Sequence, residues 1–255
     1  MTSNKDKIFA RERVRWTIPL KRRENELRSS VAKIFDAETR YIVNNYEDVI
    51  AQEGFSIMRE ISLKNDLFDA VSSSIRGTME VAVKLVAEQI KFEQKQDFSV
   101  DSYILEWVGS EYFNEMMALI VTNYYSEIKE IIAKGIEEQL TRREIAKKID
   151  NDLKLGSVRA AVIARTETHR AAMYASERRA RDISKNLDMP LLKQWVPVSD
   201  SRVRDPHAAM RNKPAIPIDE MFEVGGEKMS RPNDPRGSAR NTINCRCILR
   251  YIPQS

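Results

Sequence analysis

The chain of 255 residues carries a formal net charge of +4, with 42% hydrophobic and 31% charged residues, a balance that fits a folded globular protein and excludes wholesale disorder. No run of about 18 apolar residues occurs, which excludes a transmembrane helix, and the polar start Met1 to Lys7 gives no expectation of a secretory leader. The two cysteines, Cys245 and Cys247, stand one residue apart, a spacing that argues against an unstrained disulfide and so against a disulfide framework.

Residues 1–28 hold nine Lys/Arg against four acids and read as a basic N-terminal arm. Arg11, Arg13, Arg15, Lys21, Arg22 and Arg23 surround Trp16 there, a composition suited to DNA phosphates or to an acidic partner, with Trp16 as an anchor. A plain solvated tail fits the same residues, because basic termini are common and read no sequence.

Residues 29–153 hold fourteen Lys/Arg against twenty-three acids and read as an acidic helical domain. From Ser29 to Asn186 there is no proline, and glycine occurs only at 54, 77, 109, 135 and 156, so helix is expected throughout. Ile120, Tyr124, Ile128 and Ile131 recur at spacings of four, four and three, which predicts an apolar stripe on a helix beginning near Asp101 or Ser110. Glu127, Lys129 and Glu130 fall on its other face. Thr141 and Glu144 have the spacing of a capping box at the next helix start, with Gly135 near the preceding turn. Ser157 is placed to cap a further helix, and Val158 to Lys185, rich in Ala and Arg, predicts one long basic helix.

At Pro190 the texture changes, since eight of the nine prolines lie at or beyond it. Gln194 to Val196 and Cys245 to Tyr251 read as short strands, the second placing Cys245, Cys247, Leu249 and Tyr251 on one face. Gly225-Gly226 and Pro232 to Gly237 read as turns. The fold class expected is α+β: a mainly α-helical N-terminal part and a small α+β C-terminal domain with a few short strands, the latter occupying residues 154–255 together with the basic helix.

That C-terminal part carries an ordered set of chemistry-bearing residues. Arg165-Thr166-Glu167 lies on the basic helix, then come Trp195, Asp200, Arg202, Arg204 and His207, a turn at Phe222 and Gly225, Asp234, and finally Asn244-Cys245-Arg246-Cys247. Over roughly residues 135–251 this order resembles the Mu F-like head-morphogenesis proteins of tailed bacteriophages, whose pattern runs from an Ala-Arg-Thr-Glu helix to a terminal Asn-Cys-Arg-Cys strand. Ile243 departs from that pattern, where a histidine or another polar residue is frequent.

The resemblance implies a low-copy minor head protein that acts in head morphogenesis and in DNA packaging or ejection. It would sit in the virion head interior or at the portal vertex, and in the host cytoplasm during assembly. The implied partners are the portal protein, the major capsid or scaffold protein and, non-specifically, the DNA backbone; no membrane is involved.

The residues themselves leave other readings open. Cys245, Cys247 and His207 are ligand types that suit zinc, with His169 or Asp200 as a fourth partner; as small buried hydrophobes the two cysteines would instead belong to the core, the reading that needs no cofactor. His207 as a general base beside Asp200 or Asp205, with Arg202 and Arg204 on a phosphate, would suit a virion-carried nuclease or nucleotide-using toxin-like enzyme. Arg165 and Glu167 are residue types found in ADP-ribosyltransferase sites, but two positions apart on a helix they do not face each other. The expectation is a protein that is not an enzyme, in which Asp200, Arg202, Arg204 and Asp205 form salt bridges fixing a loop against the Arg-Thr-Glu helix.

Overall fold

The computed structural model describes residues 4–45, 53–92, 98–152 and 155–254. Among the described residues six helices come first: α1 (Asn4–Asn44), α2 (Glu53–Ile90), α3 (Asp101–Val108), α4 (Glu111–Glu137), α5 (Arg142–Asp152) and α6 (Leu155–Asn186). A small β region follows, with β1 (Leu191–Val196), α7 (Asp205–Ala209), β2 (Ile216–Pro217), β3 (Phe222–Val224), β4 (Glu227–Met229), α8 (Ala239–Thr242) and β5 (Ile248–Pro253). The α+β class and its order, helices before strands, are those expected from the sequence.

Residues 4–28 are no separate tail in this structure but the first part of the 41-residue helix α1. Phe9, Trp16, Leu20, Leu27, Val31, Phe35 and Ile42 recur on one face and are buried against α2 and α6, the stripe that a packed helix needs. Pro19 lies inside α1 and leaves the Arg15 carbonyl without its helical donor; burial of Trp16 and Leu20 on either side carries the helix through it. Arg23 lies flat over the bare backbone of α2 at Gly77, where an added Cβ would come within 2.6 Å of its guanidinium carbon.

Ser110 caps α4, its hydroxyl accepting from the Phe113 amide at 3.2 Å. The buried stripe of α4 is Phe113, Met117, Val121, Tyr124, Tyr125, Ile128 and Ile132, one position away from the predicted stripe at both ends. Ile120 and Ile131 sit at its edge, half-exposed, because the stripe packs on two helices, Tyr124 against Phe35 of α1 and Phe113 against Phe68 of α2. The capping box at Thr141 forms as read: the Thr141 amide donates to Glu144 at 2.8 Å, and the Glu144 amide to Thr141 Oγ1 at 3.4 Å. Ser157 falls within α6, and its side chain lies outside the described residues.

β1 is the centre of an antiparallel sheet of order β2-β1-β5, with Trp195 opposite Leu249 and Lys193 opposite Tyr251. Cys245 and Cys247 precede β5 rather than belonging to it, but both remain buried with Leu249 and Tyr251. β3 and β4 form a hairpin closed by Gly225 and Gly226 at φ +60° and +80°, the left-handed pair that a two-residue turn of this kind demands. The sheet lies against the helices: Tyr251 donates its amide to Gln89 at the end of α2 (2.9 Å), and its hydroxyl meets Ser176 of α6 at 3.2 Å.

If the N-terminal segment is a core helix, truncating its anchor must be costly. Trp16→Ala is expected to lower the unfolding free energy by about 3–5 kcal/mol, the usual range for an aromatic deleted from a core, as measured by urea denaturation; a change below about 0.5 kcal/mol, typical of a surface tail, would contradict this placement.

Candidate functional site

The family-like residues converge where α6 meets the segment between β1 and β5. α6 is unusual in burying charge: Glu167, Arg170, Glu177 and Arg179 are all buried along it. A charged group removed from water must be paired and hydrogen-bonded, so each has to find its partners, in α6 itself, in the elements before it or in the chain that follows.

Around Arg165-Thr166-Glu167 these ties are local and specific. Thr166 Oγ1 accepts from the Asn244 amide at 3.1 Å, and Arg165 donates to Asn244 Oδ1 at 3.4 Å and to Glu24 of α1 at 3.1 Å. Glu167 pairs with Arg170 at 2.6 Å, one helical turn on, and Arg170 also donates to the Asn233 carbonyl at 3.1 Å. Arg165 and Glu167 therefore point to different partners, as their spacing requires. Asn233, at φ +60°, donates its side-chain amide to the Cys245 carbonyl at 3.3 Å.

Asp234 collects the turn that follows. Its carboxylate accepts from the Ser230 amide at 2.7 Å and from Arg236 at 2.7 Å. Burial by itself would raise this acid, but the Arg236 hydrogen bonds, the Arg231 charge and the backbone amides of Ser230 and Arg236 hold it at about 2.

The predicted loop salt bridges take a different form. Asp200 is gripped by both terminal nitrogens of Arg246, at 2.6 and 2.8 Å, and accepts the Arg202 amide at 3.0 Å. That grip, led by the Arg246 hydrogen bonds, holds Asp200 at about 2. Arg204 donates to the Ile243 carbonyl. The loop is thus fixed to the segment entering β5, not to the Arg-Thr-Glu helix, because alternation on either side of Cys245 and Cys247 turns Arg246 outward over the loop.

His207, on α7, faces the opposite way. Its Nδ1 lies 3.5 Å from Cys245 Sγ and 3.4 Å from Cys247 Sγ, with all three side chains buried. Trp195 packs edge-on against the imidazole at 5.5 Å and against Phe222 at 5.5 Å. Burial pushes the Cys247 thiol well up from its ordinary value. The fourth partners named from sequence do not join: among the described residues the cluster holds His207, Cys245 and Cys247 alone. Asp200 is committed to Arg246, and His169 lines a separate cleft.

That cleft, about 220 Å3, lies between α1, α6 and the β5 entry. Arg13, Lys21, Arg165, Arg202 and Arg246 line it, with Glu24 as its one acid. His169 borders it too, and burial lowers this imidazole to about 4, which leaves it neutral. The other N-terminal candidates lie elsewhere: Arg11, Arg15 and Arg22 share the outer face of α1 at spacings of four and seven, and Arg22 and Arg23 are paired with Glu26.

Sequence reading missed the second buried network. Glu177 accepts from Lys193 at 3.1 Å, Arg231 at 2.8 Å and the Ser230 hydroxyl at 2.9 Å, while Lys193, fully buried, also donates to the Ser230 carbonyl at 2.8 Å. A signal was present: period-two alternation puts Lys193 on the face of Leu191 and Trp195, which is the buried one.

Asp234 provides a pH test. Its folded value of about 2 lies below the unfolded value of about 3.9, so its contribution, about 2 kcal/mol, is complete above that unfolded value and is lost as pH falls toward 2. Asp234→Asn should destabilise the protein at pH 7 and flatten the loss of stability between about pH 4 and pH 2; an unchanged acid profile in chemical denaturation would show that Asp234 is not the group responsible.

Residues 126–250 match the family model described as Phage Mu protein F like protein. The chain is also similar to the minor head protein GP7 of Bacillus phage SPP1, 21% identical over 270 residues that span 97% of this chain and 80% of that protein. No solved structure matches it significantly. Apart from the Arg165–Glu24 pair, the polar ties described above join residues of this matched region, from Arg165 to Arg246; residues 126–250 belong to the Phage Mu protein F like family, and the chain is a distant homologue of the minor head protein GP7.

Proposed function

We propose that this protein works inside the head of a tailed phage or at its portal vertex, binding other head proteins through its helical part and DNA phosphates through the cleft between α1 and α6. It acts in head morphogenesis and in DNA packaging or delivery by binding, not by turnover. The carrying observation is the cleft: five cations from four distant stretches of sequence converge on it, against one carboxylate. Such a concentration of positive charge attracts a polyanion without reading its sequence. Lys21 and Arg165 share Glu24, and Arg246 is held by Asp200; Arg202, and Arg13, whose hydrogen bonds go to the neutral Pro197 carbonyl and Ser199 hydroxyl, are then the strongest phosphate contacts.

The preference for binding over catalysis rests on the same geometry. A general base needs an orienting acid, and the two candidate groups are turned apart: Asp200 spends both oxygens on Arg246, while His207 directs Nδ1 at two thiols. The partners on the protein side are the portal protein and the major capsid or scaffold protein, in keeping with the similarity to a minor head protein.

Duplex DNA of arbitrary sequence should bind with an affinity that falls steeply with salt. R13A/R202A should weaken it about equally for all sequences and reduce the slope of log K against log salt by about one per cation removed. Fluorescence anisotropy over a salt series reads both quantities, and a double variant with the wild-type slope would remove the cleft from the account.

A further inference from the structure

We propose that His207, Cys245 and Cys247 bind a single zinc ion that pins α7 to the entrance of β5. The three ligand atoms all lie within 4.8 Å of one another. A tetrahedral zinc with Zn–S of about 2.3 Å and Zn–N of about 2.0 Å sets its nitrogen and sulfur ligands about 3.5 Å apart, and the two separations here are 3.5 and 3.4 Å.

The two thiols also hydrogen-bond each other, but this does not account for both sulfurs meeting the same imidazole nitrogen. Imidazole Nδ1 offers one lone pair or one N–H, so it serves one sulfur in full, yet two sulfurs stand at nearly equal distance from it. A cation between the three serves all of them. On binding, both thiols give up their protons to solvent, and neutral His207 keeps its proton on Nε2; two thiolates and one zinc ion then leave no net charge in the core.

The surroundings hold a second mark. Asn233 is fully buried and its Oδ1 has no hydrogen-bond partner, although its amide nitrogen donates to the Cys245 carbonyl beside the cluster. Three protein ligands leave one tetrahedral position, and this oxygen or a single water completes the shell. The fold supports the ligands from outside: Arg246, between the cysteines, is locked to Asp200, and Trp195 closes over the imidazole. A small region of short strands gains from such a staple what a larger core would otherwise supply.

The full chain is to be purified with zinc supplied and without chelator, then assayed for metal by mass spectrometry. One zinc per chain is expected, and cobalt replacement should give the thiolate charge-transfer and ligand-field bands of a tetrahedral site. C245S, C247S and H207A should each lose the metal and the bands. Because these positions are in the core and the variants can misfold, wild-type protein is also stripped with a chelator: thermal stability should fall, and zinc but not magnesium should restore it and shield both thiols from a disulfide reagent. Wild-type protein without zinc that takes up no cobalt, or undiminished zinc in C245S/C247S, overturns the proposal.

Discussion

The structure depends on a helix that buries its charges. Glu167, Arg170 and Glu177 of α6 are out of water, and no residue of α6 alone could satisfy them. Glu167 is met by Arg170 of the same helix and by the Tyr112 hydroxyl of α4, and the β region supplies the rest: the Asn233 carbonyl for Arg170, and Lys193, Ser230 and Arg231 for Glu177. A buried ion pair adds little net stability, but breaking one leaves an uncompensated charge that costs about 3–5 kcal/mol. The helix and the strands after it are therefore coupled through what each would lose without the other.

This coupling explains the tight order of the family-like residues. Thr166 holds Asn244, Arg170 holds Asn233, Asn233 holds the Cys245 carbonyl, and Arg246 holds Asp200. Each tie fixes one end of the next, so the segment entering β5 is located from three sides before any strand hydrogen bond is counted. α1 adds a fourth side through Glu24, which binds Arg165, and the basic cleft is the space left between these elements. Phosphate binding would thus draw on the same residues that set the geometry.

The helices were legible in the sequence because their signals are local: apolar spacing in α4, the Thr141–Glu144 box, and the run of alanine and arginine in α6. The strand of Trp195 and the Gly225-Gly226 turn were legible for the same reason. The basic segment around Trp16 was not, since its apolar residues Phe9, Trp16, Leu20 and Leu27 are spaced so widely among charges, and interrupted by Pro19, that composition outweighs period. Site residues were found where they carry the family pattern. Their partners were not, because Asp200 with Arg246, or Glu177 with Lys193, is a long-range choice among many equivalent charges that only packing makes.

Native-state hydrogen exchange tests most directly whether α6 and the strands open together. The account predicts that the slowest amides of α6 around Arg170 to Glu177 and those of β1 and β5 share one opening free energy and respond alike to denaturant. Strand amides that exchange through a separate, much cheaper opening while α6 stays protected would contradict it.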